Sequence, residues 1–271
     1  MSSLKQEARP DIFEGREWGR FRYEALEKPV ALLHPEERKL MAWMAANVYT
    51  GEGEIIDAGA FLGGSALCFA EGLSRNGTVT RKDGRIHSYD LFRKGDWLQS
   101  PLPVWDDLPA RHSSLHVFHD QLGDKIAMSS LYPGNILERT WDGRPIEICM
   151  LDCSKTQALH DHVLRMFLPS MIPGRSYLLH QDYGIRSSLY WLHITQYLLR
   201  DYFDHIATVV FGGTTLFRCT KPISRETVER VIAEQDQDPA RMRDACLGYH
   251  RALGDEKLVA AVESSFRPLM R

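Results

Sequence analysis

The 271-residue sequence has no run of about 18 apolar residues, so no membrane-crossing helix is expected. Its first ten residues hold no apolar stretch of the kind that makes a signal peptide. Positive charge is not in excess. The chain carries 33 Lys and Arg against 36 Asp and Glu, a formal net charge of −3, and composition alone gives no basic face for nucleic acid. The five cysteines, at 68, 149, 153, 219 and 246, are odd in number and scattered, which argues against a disulfide framework. No CxxC pair suggests zinc, and no GxxxxGK[ST] loop suggests a P-loop enzyme. These absences leave a soluble, cytoplasmic protein as the expectation, with no nucleic acid and no membrane.

What is present is an alternation of helix and strand signals. His34-Pro35-Glu36-Glu37 opens a helix, because proline fits a first turn and acids suit its positive end. Leu40, Met41, Met44, Ala45 and Val48 follow at helical spacing. Residues 54–58 read as a short buried strand, Gly59-Ala60-Phe61-Leu62-Gly63-Gly64 as a glycine turn, and 65–73 as a helix. Strand, glycine turn, helix is how a doubly wound sheet begins. Further strands are expected at 85–90, 116–120, 146–152 and 176–181, and helices at 157–167 and 187–199. Gly212-Gly213 between β-branched runs predicts a hairpin over 205–219. The division follows as 1–33, an N-terminal cap; 34–222, an α/β domain; and 223–271, a helical C-terminal extension. The patternless segment 91–114, with Trp97 and Trp105, reads either as a substrate-covering loop or as a surface excursion packed on its own aromatics. These tryptophans and the C-terminal helices also offer surfaces for homo-oligomer formation.

In open α/β sheets ligands bind beyond the carboxyl ends of the strands. The candidate cofactor residues are therefore Asp57, Gly59, Phe61, Gly63, Gly64 and Ser65 around the first turn, with Asp90 at the end of the second strand. Asp90 would take the ribose hydroxyls, or merely cap a loop; Asp120 or Gln121 would meet the adenine. A dinucleotide fingerprint needs glycine where Phe61 stands, so that a pyrophosphate can approach the backbone. S-adenosylmethionine has no phosphate and carries positive charge, which suits Phe61 and the nearby Asp57.

The chemical end lies where the strands over 146–152 and 176–181 finish. Asp152, Gln181 and Asp182 offer oxygen ligands for a hard cation such as Mg²⁺. Lys155, given a depressed pKa, could deprotonate an acceptor hydroxyl. His180 could act as a base or serve the core. Read singly, Asp152 and Asp182 are also plausible loop caps and Lys155 a solvated lysine.

The stretch from Ile55 through Ser65 resembles motif I of the macrocin O-methyltransferase family and its sugar-methylating relatives. Ser88-Tyr89-Asp90-Leu91-Phe92 and His180-Gln181-Asp182-Tyr183-Gly184 resemble its second-strand and metal-site motifs. The spacing of Asp152 and Lys155 is similar to that in catechol and caffeoyl-CoA O-methyltransferases, where the matching acid binds metal and the matching lysine is the base. Over roughly 34–221 the resemblance implies a Rossmann-like three-layer sandwich, with a mostly parallel seven-stranded sheet whose last strand is antiparallel. It implies S-adenosylmethionine as cofactor, Mg²⁺ as an accompanying ion, and a small-molecule or sugar hydroxyl as acceptor. Macrocin-type relatives usually carry an acid where Gln181 stands and often a histidine where Lys155 stands. The alternatives are an NAD(P)-dependent oxidoreductase on a similar sheet, and a non-catalytic relative that keeps the cofactor fold.

Overall fold

The computed structural model describes residues 13–22, 24–26, 29–95, 102–109, 111–185 and 187–270. In chain order the described elements are α1 (Pro35–Asn47), β1 (Glu54–Ala58), α2 (Gly64–Arg75), β2 (Ile86–Asp90), α3 (Pro103–Asp107), α4 (Leu115–Leu122), β3 (Ser129–Pro133), β4 (Ile146–Leu151), α5 (Gln157–Phe167), β5 (Tyr177–His180), α6 (Tyr190–Leu198), β6 (Phe203–Thr208), β7 (Thr215–Cys219), α7 (Arg225–Gln237), α8 (Arg243–Ala252) and α9 (Glu256–Phe266). Among these helices none is long and apolar enough to cross a membrane.

The seven strands form one sheet in the order β3-β2-β1-β4-β5-β7-β6. All neighbours from β3 to β5 pair in parallel, and β7 runs antiparallel to both β5 and β6. This is the expected Rossmann-like α/β sheet with an antiparallel last strand. Alternation along the strands separates two cores. Ile55, Ile148, Met150 and Leu179 face α1, α2 and α4, where Leu40, Met44, Phe69 and Phe118 are buried. Ile56, Cys149, Leu151 and Leu178 face α5, α6 and α7, where Val163, Phe167, Leu192 and Val231 are buried. Strands clothed on both faces are apolar throughout, which is why β1 and β4 are buried along their whole length.

The second core extends beyond the expected domain edge, because Val228, Val231 and Ile232 of α7 lie in it. Helices α8 and α9 form an outer layer, with Cys246, Leu247, Val262 and Phe266 packed on Ile194 of α6. At the other terminus, Phe13 packs its ring on Trp43 at 5.2 Å and on Tyr177 at 5.4 Å.

One expected strand is corrected. Residues 116–120 lie in helix α4, not in a strand. Leu115, Phe118 and Leu122 follow the i, i+3, i+7 spacing of a helix, and the aromatic and β-branched content of the run hid that period. The third strand is instead Ser129–Pro133, a half-exposed edge strand whose two serines gave no apolar signal.

Candidate active site

Strand register aligns the site. Ala58 pairs with Tyr89 and with Leu151, and Leu151 pairs with His180. The next residue on each chain is Gly59, Asp90, Asp152 and Gln181, so these four form one row at the carboxyl edge of β1, β2, β4 and β5. Within two residues of that edge lie four carboxylates, Asp57, Asp90, Asp152 and Asp182.

Asp57 is fully buried. Ser88 Oγ donates to its Oδ2 at 3.3 Å, and Oδ1 has no hydrogen-bond partner among the described residues. Burial pushes its carboxyl up to about 7; nearby Ser65 opposes that shift, and the charges of Asp152 and Asp90 add to it. Asp90 sits at the tip of β2 and accepts the backbone N–H of Phe61 on Oδ2 and of Phe92 on Oδ1, both at 2.9 Å. Burial raises its pKa against the pull of those donors. Phe61 and Phe92 both have left-handed backbone, at φ 50° and 46°. Such strain in a non-glycine residue persists where surrounding contacts fix it, and it clusters at functional sites. Asp182, at φ 62°, is a third case on the same edge.

The glycines of the turn have packing reasons. A Cβ on Gly59 would lie 2.8 Å from the backbone of Asp152, so its absence lets the tips of β1 and β4 close together. A Cβ on Gly63 would meet the Phe118 ring at 2.7 Å, and one on Gly64 would meet Ala31 at 2.3 Å. Above the turn, Phe61 packs against buried Trp105 with ring centroids 4.8 Å apart. The 102–108 part of the expected covering loop thus lies on the glycine turn, while Trp97 falls outside the described residues. Asp120 and Gln121 are not at a strand end. Asp120 is exposed on α4, and the Gln121 amide donates to Leu62 O at 2.9 Å and bonds Val30.

At the chemical end, Lys155 Nζ donates to Asp152 Oδ1 at 2.6 Å and to Asp182 Oδ2. This pairing corrects the expected depressed lysine: burial lowers its pKa, but Asp152 and Asp182 outweigh burial and raise it. Lys155 is therefore held as an ammonium. Burial pushes the Asp152 carboxyl up to about 7, against Lys155 and with Asp182. Gln181 does not converge with the two acids, because its Oε1 accepts from the hydroxyl of Thr214. His180 lies in the core, 2% exposed, its ring 5.5 Å from His160 and 5.6 Å from Tyr183. Burial lowers its pKa to about 4.

The divalent ion implied by the resemblance does not fit this arrangement. Its place between Asp152 and Asp182 is taken by the Lys155 ammonium, and the third candidate ligand, Gln181, is spent on Thr214. Among the described residues no group of three or more His, Cys, Asp and Glu is disposed to hold a metal. The anionic row does fit a cationic nucleoside: Asp152 and Asp182 share the Lys155 ammonium, and Asp57 keeps a buried oxygen with no partner among the described residues.

Two further residues shape the site and had little sequence signal. Glu37, read only as a helix-start acid, is 1% exposed. Its Oε2 accepts His34 N at 2.8 Å, and its Oε1 accepts Gly213 N at 2.6 Å and Thr214 N at 2.9 Å. Lys257 of α9 donates to the carbonyls of Val209, Val210 and Gly212. The β6–β7 loop is thus held by its N–H groups on one side and its carbonyls on the other. It abuts Asp182 through the Gly184 N–H, which donates to Gly213 O at 2.8 Å. A cavity of about 750 Å³ lined by Tyr197, Tyr202, Arg230 and Arg241 lies at the opposite end of the sheet, where β6 begins, and contains no residue of this site.

No family model matches the chain, and no curated protein matches it in sequence. Among solved structures, the O-methyltransferase NovP superposes with a TM-score of 0.51 at 11% identity, over 68% of this chain and 80% of NovP. The calicheamicin methyltransferase CalS11 gives 0.49 at 14% identity, over 80% of this chain and 97% of CalS11. The SAH-bound methyltransferase PaMTH1 of Podospora anserina gives 0.41 at 17% identity, over 79% and 89%. At 11% identity the likeness to NovP is one of fold.

Proposed function

We propose that this chain moves a methyl group from S-adenosylmethionine to a hydroxyl oxygen of a small molecule, with a sugar hydroxyl as the favoured acceptor. The observation that carries the reading is the row of Asp57, Asp90, Asp152 and Asp182 at the carboxyl edge of four adjacent parallel strands, with Lys155 paired to Asp152 and Asp182. That field suits a ligand bearing a sulfonium and an ammonium, and opposes a pyrophosphate. Phe61, fixed over the turn by Trp105 and Asp90, stands where a dinucleotide would need glycine. NovP, which shares the fold, is an O-methyltransferase, and the sugar acceptor rests on the macrocin-type motifs.

In this reading Asp90, still partly open to solvent, takes the ribose hydroxyls on the lone pairs its backbone donors leave free. Asp57 and the Gly59 turn face the amino-acid end. S-adenosylmethionine, when bound, supplies an electrophilic methyl group on sulfur. Transfer of that methyl group to the acceptor oxygen would leave the electron pair on sulfur and release the hydroxyl proton, which a carboxylate of this chain would take. Asp152 is the acceptor this geometry offers, since Lys155 already carries its proton. Alignment of oxygen, carbon and sulfur supplies much of the rate, so residues that hold the site rigid matter as much as the base.

Incubation with S-adenosylmethionine and a panel of sugar, phenol and alcohol acceptors tests the proposal. Release of S-adenosylhomocysteine with a methyl ether product is expected for at least one acceptor class. Tight binding without turnover across the panel would favour a non-catalytic relative, and retention of a nicotinamide dinucleotide would replace the reading altogether.

A further inference from the structure

We infer that Lys155 serves as a built-in cation in place of a divalent metal. On the methyl-transfer reading above, its free N–H is the group that meets the acceptor oxygen. The two carboxylates that would ligate an ion, Asp152 and Asp182, come from the ends of different strands. Both accept from one ammonium, Asp152 on Oδ1 and Asp182 on Oδ2. A divalent ion and an ammonium compete for the same lone pairs, so the occupied pair excludes the ion unless Lys155 swings out. Swinging out would leave its charge without either partner and would place two carboxylates face to face until the ion arrived. Gln181 adds no ligand to the pair, because its Oε1 is turned to Thr214, inside the contact that Glu37 makes with the β6–β7 loop.

The lysine is well placed for this work. An ammonium has three donors, and two are spent on the carboxylates. The side chain is 48% exposed, so the third donor faces the open side of the row, where an acceptor arrives. There it can hold the oxygen and stabilise the negative charge that grows as the proton leaves, which is the task a metal would otherwise perform. Unlike an ion, it needs no loading.

Manganese(II) is the probe, followed by electron paramagnetic resonance of free ion and by melting temperature. The wild-type protein is expected to leave the free-ion signal unchanged and to melt at the same temperature with Mn²⁺ or with EDTA. Lys155→Met opens the carboxylate pair. It is expected to bind Mn²⁺, with a melting temperature about 5 °C or more higher at roughly a hundredfold excess over Kd. Asp182→Asn in the Lys155→Met background is expected to abolish that gain. Lys155→Gln serves if the methionine variant does not fold. Wild-type binding of Mn²⁺ that Asp182→Asn removes would overturn the inference, and so would a Lys155 variant that ignores the ion. None of these readouts involves S-adenosylmethionine or turnover. A failed metal result therefore leaves the methyl-transfer reading intact, and failed cofactor binding leaves the metal result intact.

Discussion

Glu37 and Thr214, 177 residues apart in sequence, are joined twice: Glu37 Oε1 accepts the Thr214 backbone N–H at 2.9 Å and lies 2.8 Å from its hydroxyl. The hydroxyl also faces Gln181, so the first turn of α1, the β6–β7 loop and the end of β5 meet at one buried carboxylate. Glu37→Gln keeps the shape but sets an amide against backbone donors. A buried, charge-assisted acceptor of this kind contributes about 2–3 kcal/mol. A melting temperature lower by about 4–12 °C is expected, together with faster amide exchange at Gly213 and Thr214. Unchanged exchange at those two amides would contradict the role.

The histidines buried behind the site make the fold sensitive to acid. Burial holds His180 and His250 at about 4, and pushes His160 and His193 well below the ordinary imidazole range. All four are neutral in the folded protein, while the unfolded chain takes up protons on them below about 6.5. Their stabilisation is therefore complete above about pH 6.5 and is lost as pH falls toward 4, at about 1.4 kcal/mol per histidine per pH unit. Asp57 and Asp152, held near 7, and Asp90 and Glu147, also raised by burial, act in the opposite sense and lessen the slope. His193 has neither ring nitrogen partnered among the described residues, so His193→Leu is expected to flatten the acid limb by about one proton. Urea denaturation between pH 4.5 and 7.5 measures this; an equally steep limb in the variant would refute it.

Gly64→Ala tests the packing explanation for the glycine turn. The added methyl would fall 2.3 Å from the Ala31 Cβ, so the 30–31 segment must move. Overpacking of this kind costs about 1–3 kcal/mol. Because Gln121 ties Val30 to the turn, cofactor affinity is expected to fall with stability. A variant as stable as wild type would show that the segment yields freely.

The doubly wound sheet was legible because β1 and β4 are apolar throughout and because a glycine turn follows β1. The row of Asp90, Asp152 and Asp182 was legible for the same reason: strand ends are marked by the change from apolar to polar residues. The exchange of α4 for a strand shows the limit of a short window, in which Val117 and Phe118 outweighed the wider helical spacing. Glu37 and Lys257 were not legible as site residues, since an acid or a lysine in a first helical turn is ordinary and their partners lie far along the chain. The protonation of Lys155 was misjudged because the sequence does not reveal that both Asp152 and Asp182 point at one nitrogen.

Calorimetric titration of S-adenosylhomocysteine into the wild-type protein and into Asp90→Asn tests the central claim most directly. One site per chain is expected for the wild type, no heat with NADH, and an affinity about 10–100-fold weaker in the variant, the range for a hydrogen bond to a charged group. Equal affinity in both proteins, or binding of NADH in place of the nucleoside, would contradict it.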